Sequence, residues 1–302
     1  MNLFAQQMDS NDELVYLDSE NKTTNKDLAV YYQFKIPNKD VGFKIQKYFI
    51  KNSSEAQLVE KFYKDAAGLK QGKYESFSNY GENEQSGYYL NDLKLGNWKL
   101  YKSDFIPNYS SHRQGKFVHY LKGNYMYQDN LKNGPFKEFH ENGAILAEGF
   151  YKNDGLVNEC KWYFKSGGLS SLEKYDGSGA LLNIEQWNED GTYYTGENLI
   201  TKGPIFDKEN VSNRLSEKIR NNFNKKLMLM FNIDSNLIVS CYVNEDGNIS
   251  SIDIKFQGEA IEAYDKEIRR ILIKYPYVGI SYYHNQPQYA IINVPIRFVS
   301  NK

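Results

Sequence analysis

Four histidines, two cysteines and one acidic helix face are the side chains here that could do chemistry. A metal site needs three or four nitrogen, sulfur or oxygen ligands at characteristic spacing. His112, His119, His140 and His284 are spread thinly, and no pair has that spacing. Cys160 and Cys241 fall in different predicted domains, with no histidine near either in sequence. A nucleophilic role is therefore not expected of them, nor a disulfide between them. Glu262, Asp265 and Glu267 share one predicted helix, again without a histidine or cysteine, so no general acid–base pair is formed. The glycine turns are followed neither by Lys-Ser or Lys-Thr at phosphate-loop spacing nor by a helix. The expectation is a protein with no catalytic residues, no metal and no cofactor.

What the chain has instead is rings. It carries 26 Tyr and 17 Phe among 302 residues, with only 7 Pro. Tyrosine sits well on half-buried sheet faces, so much of the chain should be sheet. The 37 basic and 38 acidic residues give a net charge of -1. That balance supplies no general attraction to nucleic acid or to an anionic membrane. The longest apolar run, Leu227 to Phe231, is far short of the roughly 20 residues a spanning helix needs. Leu3-Phe4-Ala5 reads like the end of a secretory signal peptide without its charged and long apolar parts. Either the leader has been trimmed or residues 1–11 are an ordinary frayed terminus.

Two patterns organise residues 12–205. Gly143, Gly155, Gly167, Gly179, Gly191 and Gly203 recur in steps of twelve residues, which suits one strand plus one tight turn. These glycines are expected at equivalent chain reversals, with hairpins stepped by about 24 residues. The second pattern is Gly, any residue, aromatic, two residues, aromatic. Gly72, Tyr74 and Phe77 fit it, as do Gly96, Trp98 and Tyr101, then Gly115, Phe117 and Tyr120, then Gly134, Phe136 and Phe139. Asn158, Cys160 and Tyr163 form a decayed copy, with Asn as the best substitute where φ is positive. A single hairpin cannot bury its own apolar face, so the units must stack. Rings three residues apart alternate faces unless a bulge realigns them.

This pattern resembles the MORN-variant repeat of bacterial proteins, including those labelled YwqK-like antitoxins, over about Leu69 to Gly203. Residues 12–68, with Val15 to Asp18 and Ala29 to Tyr32, look like the β lead-in common in Bacteroidetes relatives. The resemblance implies a hairpin sheet with a binding or scaffolding role, and names no ligand.

After Gly203 the composition changes. Ser212 is placed to cap a helix carrying Leu215, Ile219 and Phe223. Leu237 to Val243 reads as a strand, Asn244 to Gly247 as a turn, and Ile249 to Ile254 as a second strand. Ala260 to Tyr275 reads as a helix ended by Pro276, and Tyr289 to Val299 as the last strand. Pro295 lacks an N–H, which points to an edge or a bulge. This order resembles the C-terminal domain of TonB-type energy transducers. Val239 to Gly247 carries that resemblance, with Asp265, Glu267 and Arg269 on the helix, Tyr275-Pro276-Tyr277 after it, and Val294, Ile296 and Phe298 in the closing strand.

The expected architecture is mainly β: stacked aromatic hairpin (MORN-like) repeats over 69–205, then a small α+β TonB-C-like domain over 206–302. The expected function is that of a non-enzymatic interaction or scaffolding protein of the bacterial cell envelope, in the periplasm if the leader was trimmed. An intracellular antitoxin-like binding protein is the alternative, and an enzyme the least favoured. The expected partner is a protein or peptide, docking on the edge formed by Tyr289, Ile291 and Asn293. The competing readings are self-association through the same edge and its capping by the 212–223 helix or by Tyr282-Tyr283.

Overall fold

The computed structural model describes residues 12–51, 55–106, 116–198, 200–202, 211–227, 235–257 and 262–298. The chain divides into two compact units, Met1–Glu185 and Gln186–Lys302. The division falls N-terminal to the change in composition after Gly203.

The first unit is one antiparallel sheet of 13 strands, each paired with its neighbours in sequence. It runs β1 (Glu13–Leu17), β2 (Tyr31–Asn38), β3 (Gly42–Ile50), β4 (Ala56–Lys64), β5 (Lys70–Phe77), β6 (Asn83–Leu90) and β7 (Leu93–Ile106). It continues through β8 (Lys116–Gln128), β9 (Leu131–Phe139), β10 (Ile145–Lys152), β11 (Gly155–Tyr163), β12 (Leu169–Tyr175) and β13 (Leu181–Gln186). Among the described residues of this unit, only the 3-10 turn Lys26–Leu28 is helical. The sheet must therefore build its core from its own strands.

Two turn types alternate along much of the sheet. Asn91-Asp92, Asp129-Asn130 and Asn153-Asp154 all have positive φ, between 49 and 69°. Such two-residue turns match the twist of a hairpin, and Asn and Asp tolerate the conformation. The longer turns close on a glycine. Gly143 N donates to His140 O at 2.9 Å while His140 N donates to Ala144 O at 2.8 Å. The same pair of bonds closes Asp65–Leu69, Ser78–Glu82, Phe164–Gly168 and Asp176–Ala180.

The twelve-residue glycine step is thus partly corrected. Gly143, Gly167, Gly179 and Gly191 do hold this turn position, with φ between 84 and 92°. Gly155 does not: it starts β11 after the Asn153-Asp154 turn, opposite Lys152. Gly203 lies outside the described residues.

The second unit begins with the turn Asn188–Thr192, bridged by Trp187 and Tyr193. A small sheet follows, β14 (Thr201–Lys202), β17 (Ser281–Tyr283) and β18 (Gln286–Gln288), which the sequence reading missed. The remaining elements stand close to where the sequence pattern puts them. They are α1 (Val211–Asn222), β15 (Ser235–Val243), β16 (Ile249–Gln257), α2 (Glu262–Leu272) and β19 (Ala290–Phe298). The strand order is β16-β15-β19. Leu215, Ile219 and Phe223 pack with Tyr264, Ile268 and Ile271 over Val239, Cys241, Val294 and Phe298. Among the described residues no helix is long and apolar enough to cross a membrane.

The sheet core is sensitive at its glycines. A Cβ on Gly87 would stand 2.2 Å from the Trp98 ring, whereas one on Gly177 meets nothing within 4 Å. In urea melts Gly87→Ala should cost about 1–3 kcal/mol, as an overpacked core does. Gly177→Ala should stay within about 0.5 kcal/mol of the parent, as surface changes do.

Candidate functional site

The face that carries most of the buried rings is the most differentiated surface of the first unit, and its rows follow from local backbone. Gly72, Gly96, Gly134 and Asn158 have positive φ, yet all four lie inside strands. They make bulges, not chain reversals. Leu95 to Lys99 faces only Tyr88 to Ser86, and Lys132 to Phe136 faces only Tyr127 to Tyr125. The shifts at Gly72 and Asn158 have the same form. Extra residues on one strand bend it and re-aim the side chains that follow.

What the bulges aim inward is the first ring of each copy. Tyr74, Trp98 and Phe136 are buried, and Cys160 takes the same place in the decayed copy. A glycine on a neighbouring strand receives two of them: Trp98 fills the space over Gly87 and Cys160 that over Gly149, while Tyr125 packs against Gly123 of its own strand. Rings then touch along the sheet. Tyr74 and Trp98 lie 5.7 Å apart, Tyr125 stacks on Phe136 at 6.2 Å, and Phe136 meets Tyr151 at 4.6 Å.

The second rings serve differently. Phe77, Tyr101, Tyr120 and Phe139 are half-buried. Tyr120 donates to Asp104 at 2.7 Å, and Tyr101 stacks on His119 at 5.7 Å. The copy around Gly115 is corrected. Gly115 itself lies outside the described residues, and Phe117 is 76% exposed. In β8 the buried ring is Tyr125. The uneven spacing comes from the long β7–β8 hairpin.

Sequence reasoning missed a row of lysines two residues before the bulge glycines. Lys70, Lys94 and Lys132 lie across the rings. Lys94 Nζ is 4.1 Å from the centroid of Trp98 and 5.2 Å from that of Tyr127. Lys132 Nζ is 4.1 Å from Tyr125 and 4.7 Å from Tyr151, and Lys70 Nζ is 4.8 Å from Phe62 and 4.9 Å from Tyr74. Their apolar stems cover these rings, with the charge held over a π face. Burial holds the Lys94 and Lys132 ammoniums below the usual lysine range. In the next repeat Leu156 takes the position, packed against the same cluster. Each lysine is also clipped to the turn one hairpin on. Lys70 N donates to Asp92 Oδ1 at 2.7 Å, Lys94 N to Asn130 Oδ1 at 2.7 Å and Lys132 N to Asp154 Oδ1 at 2.8 Å.

Carboxylates complete the face. Tyr74 donates to Glu60 at 2.8 Å and Tyr125 to Glu138 at 2.7 Å. Glu173, fully buried, accepts from Trp162 Nε1, Ser171 and Tyr175. Every one of these carboxylate contacts is with a structural ring or hydroxyl.

Ser103, His119 and Glu82 are the nearest approach to a nucleophile set. Ser103 Oγ lies 2.9 Å from His119 Nδ1 and 2.8 Å from Glu82. The carboxylate thus holds the serine, and among the described residues the far imidazole nitrogen, Nε2, is buried with no hydrogen-bond partner. That differs from a triad, in which the acid fixes the histidine from its other side. Cys160 and Cys241 are buried free thiols, with burial pushing Cys160 up to about 11 and Cys241 up to about 12. Among the described residues no group of three or more His, Cys, Asp or Glu could hold a metal ion.

In the second unit β19 stands at an edge of its sheet, paired only with β15 among the described strands. Ser212 Oγ donates to Asn293 O at 2.9 Å, which corrects its expected role as a helix cap: it lies within α1 and caps the strand. Along β19, Ile291 stands opposite Tyr242, Asn293 opposite Ser240 and Pro295 opposite Ile238. Ile291 is 60% exposed and Tyr289, just before the strand, 49%. A scan against protein-family models finds no match, and no curated protein matches the chain.

The buried phenols give a pH test. Burial, with Tyr48 and Tyr16 nearby, raises Tyr32 from 10.0 to about 12, and burial together with Glu148 raises Tyr163 to about 12. Burial and Glu60 raise Tyr74, and burial and Glu138 raise Tyr125. A raised folded value means that the native state holds protons the unfolded chain has lost. Stability should thus be intact below pH 10 and fall as pH rises through 12. Phenolate absorbance should show an exposed class titrating near 10 and a buried class appearing together with loss of the β signal. A single class would contradict the packing described. In a second test, Lys132→Leu should melt like the parent, as Leu156 allows, and Lys132→Glu should destabilise.

Proposed function

We propose that this protein is a non-enzymatic interaction module of the bacterial cell envelope. In this reading the long sheet is a semi-rigid scaffold, and the C-terminal unit presents the β19 edge to an extended peptide. The observation that carries it is the edge position of β19, paired only with β15 among the described strands, beside the exposed side chains of Ile291 and Tyr289. An edge strand with unpaired N–H and C=O groups is a template for one more strand. The Ser212 bond to Asn293 occupies part of that rail and limits the docking length to its N-terminal end. The resemblance to MORN-variant repeats and TonB-type domains supports the scaffold, the peptide and the envelope setting.

The two free thiols, Cys160 and Cys241, favour a second reading, an intracellular antitoxin-like binding protein, because reduced cysteines are the rule in a reducing compartment.

Amide hydrogen exchange on the full chain, with and without extended peptides from envelope proteins, tests the first reading. Protection should gather at Tyr289 to Asn293. Ile291→Pro, which removes a backbone N–H from the edge strand, should abolish that protection. Protection confined elsewhere would overturn strand addition. A reporter fusion recovered only from the cytoplasm would overturn the envelope assignment.

A further inference from the structure

Beside its rings, the same face of the long sheet carries a polar row. Lys47 stands opposite Glu60, Glu60 opposite Ser76 and Ser76 opposite Gln85, so one line of side chains crosses β3, β4, β5 and β6. Ser76 lies two residues past Tyr74 and so shares the face on which that ring is buried. The row lines an open groove of about 550 Å³.

Tyr31, on β2, stands beside the row, with its ring centre 4.2 Å from Lys47 Nζ. The turn after β5 contributes Asn79 and Tyr80. That turn is tied together by its own bonds. Gly81 N donates to Ser78 O at 2.9 Å, and Ser78 Oγ accepts from the backbone N–H of Tyr80 and of Glu82, each at 3.2 Å. The Tyr80 side chain, carried on this turn, is 86% exposed. The fold uses the acidic and hydroxyl groups only in part. Tyr74 and Lys70 both bond to Glu60 Oε1, at 2.8 and 3.5 Å, and Ser76 Oγ donates to Glu84 over a long 3.5 Å.

We propose that this groove binds a neutral oligosaccharide, with one sugar ring stacked on Tyr80 and its hydroxyls bonded to Glu60, Ser76 and Glu84. A sugar hydroxyl both donates and accepts, so it is matched by carboxylates and hydroxyls placed side by side. The C–H face of a sugar ring is apolar and suits an exposed aromatic ring with polar neighbours. Phosphate or sulfate groups would meet the carboxylates of Glu60 and Glu84 and are disfavoured. An extended peptide is disfavoured because β3, β4, β5 and β6 are each paired on both sides and offer no open backbone. The volume lies within the roughly 300–1,000 Å³ typical of small-molecule sites. This site rests neither on the β19 edge nor on the envelope assignment.

Isothermal titration calorimetry on the full chain tests the site with three neutral probes, cellotriose, maltotriose and N-acetylchitotriose. At least one should bind saturably. Tyr80→Ala should weaken that binding roughly tenfold or more, as loss of an aromatic anchor does at a binding surface, and Glu84→Ala should weaken it as well. Both residues are exposed, so both variants should melt like the parent. Tyr88→Ala, which removes an exposed side chain outside the groove, should bind as the parent does. No saturable binding of any probe into the millimolar range would overturn the proposal, as would parent-like binding by Tyr80→Ala or Glu84→Ala. Binding of adenosine or of a sulfated trisaccharide while all three probes fail would also overturn it, by assigning the groove to a base or an anion.

Discussion

Trp98 stands where a Cβ on Gly87 would be, and the long sheet depends on this kind of contact. A sheet without helices across it has to bury rings against its own backbone. That becomes feasible where a neighbouring residue has no side chain. Cys160 against Gly149 repeats the arrangement in a later hairpin, and Tyr125 packs against Gly123 within its own strand. The bulges at Gly72, Gly96, Gly134 and Asn158 belong to the same device, since they bring the ring-bearing residue into the glycine's register.

Within this unit the rings are covered by side chains of the sheet itself. Lys70, Lys94 and Lys132 close them with four methylenes each and keep the charge at the rim, over a π face. Leu156 fills the same position without a charge, so coverage is the property these four positions share. The ammoniums of Lys94 and Lys132 then stand partly desolvated among phenols and carboxylates. The face is consequently balanced in charge, which suits a scaffold better than a surface for a polyanion.

Much of this was legible from sequence, for physical reasons that differ by element. The strands were visible because tyrosine density and turn glycines report a half-buried sheet. The helices of the second unit were visible because Leu215, Ile219 and Phe223 follow a helical period. Gly155 was misread because a step of twelve residues does not distinguish a glycine turn from a glycine just after an Asn-Asp turn. Phe117 was misread because the Gly-x-ring spacing recurs by chance within the long β7–β8 hairpin. The lysine lids carried a signal, Lys two residues before Gly in three copies, but a charged residue beside a strand reads as solvent-facing until its contact with the rings is known. Ser212 looked like a cap because it precedes the first periodic residue, Leu215, but Val211 before it is already helical. The edge position of β19 was legible from Pro295, which has no N–H to give to a second neighbour, and the strand order agrees.

The two units thus solve different problems, one making a core out of a single sheet and the other using two helices to cover three strands. Both leave backbone or rings accessible at defined places, and that is what makes an interaction role the economical reading. The dependence of the sheet on ring-for-glycine fit can be measured directly as a coupling energy. A double-mutant cycle on Gly87→Ala and Trp98→Leu, followed by urea unfolding, isolates it. Because the smaller side chain makes room for the new methyl group, the double variant should be more stable than the sum of the single losses by about 1 kcal/mol or more. Strict additivity would mean that Trp98 and Gly87 stabilise the sheet independently, and would contradict the account.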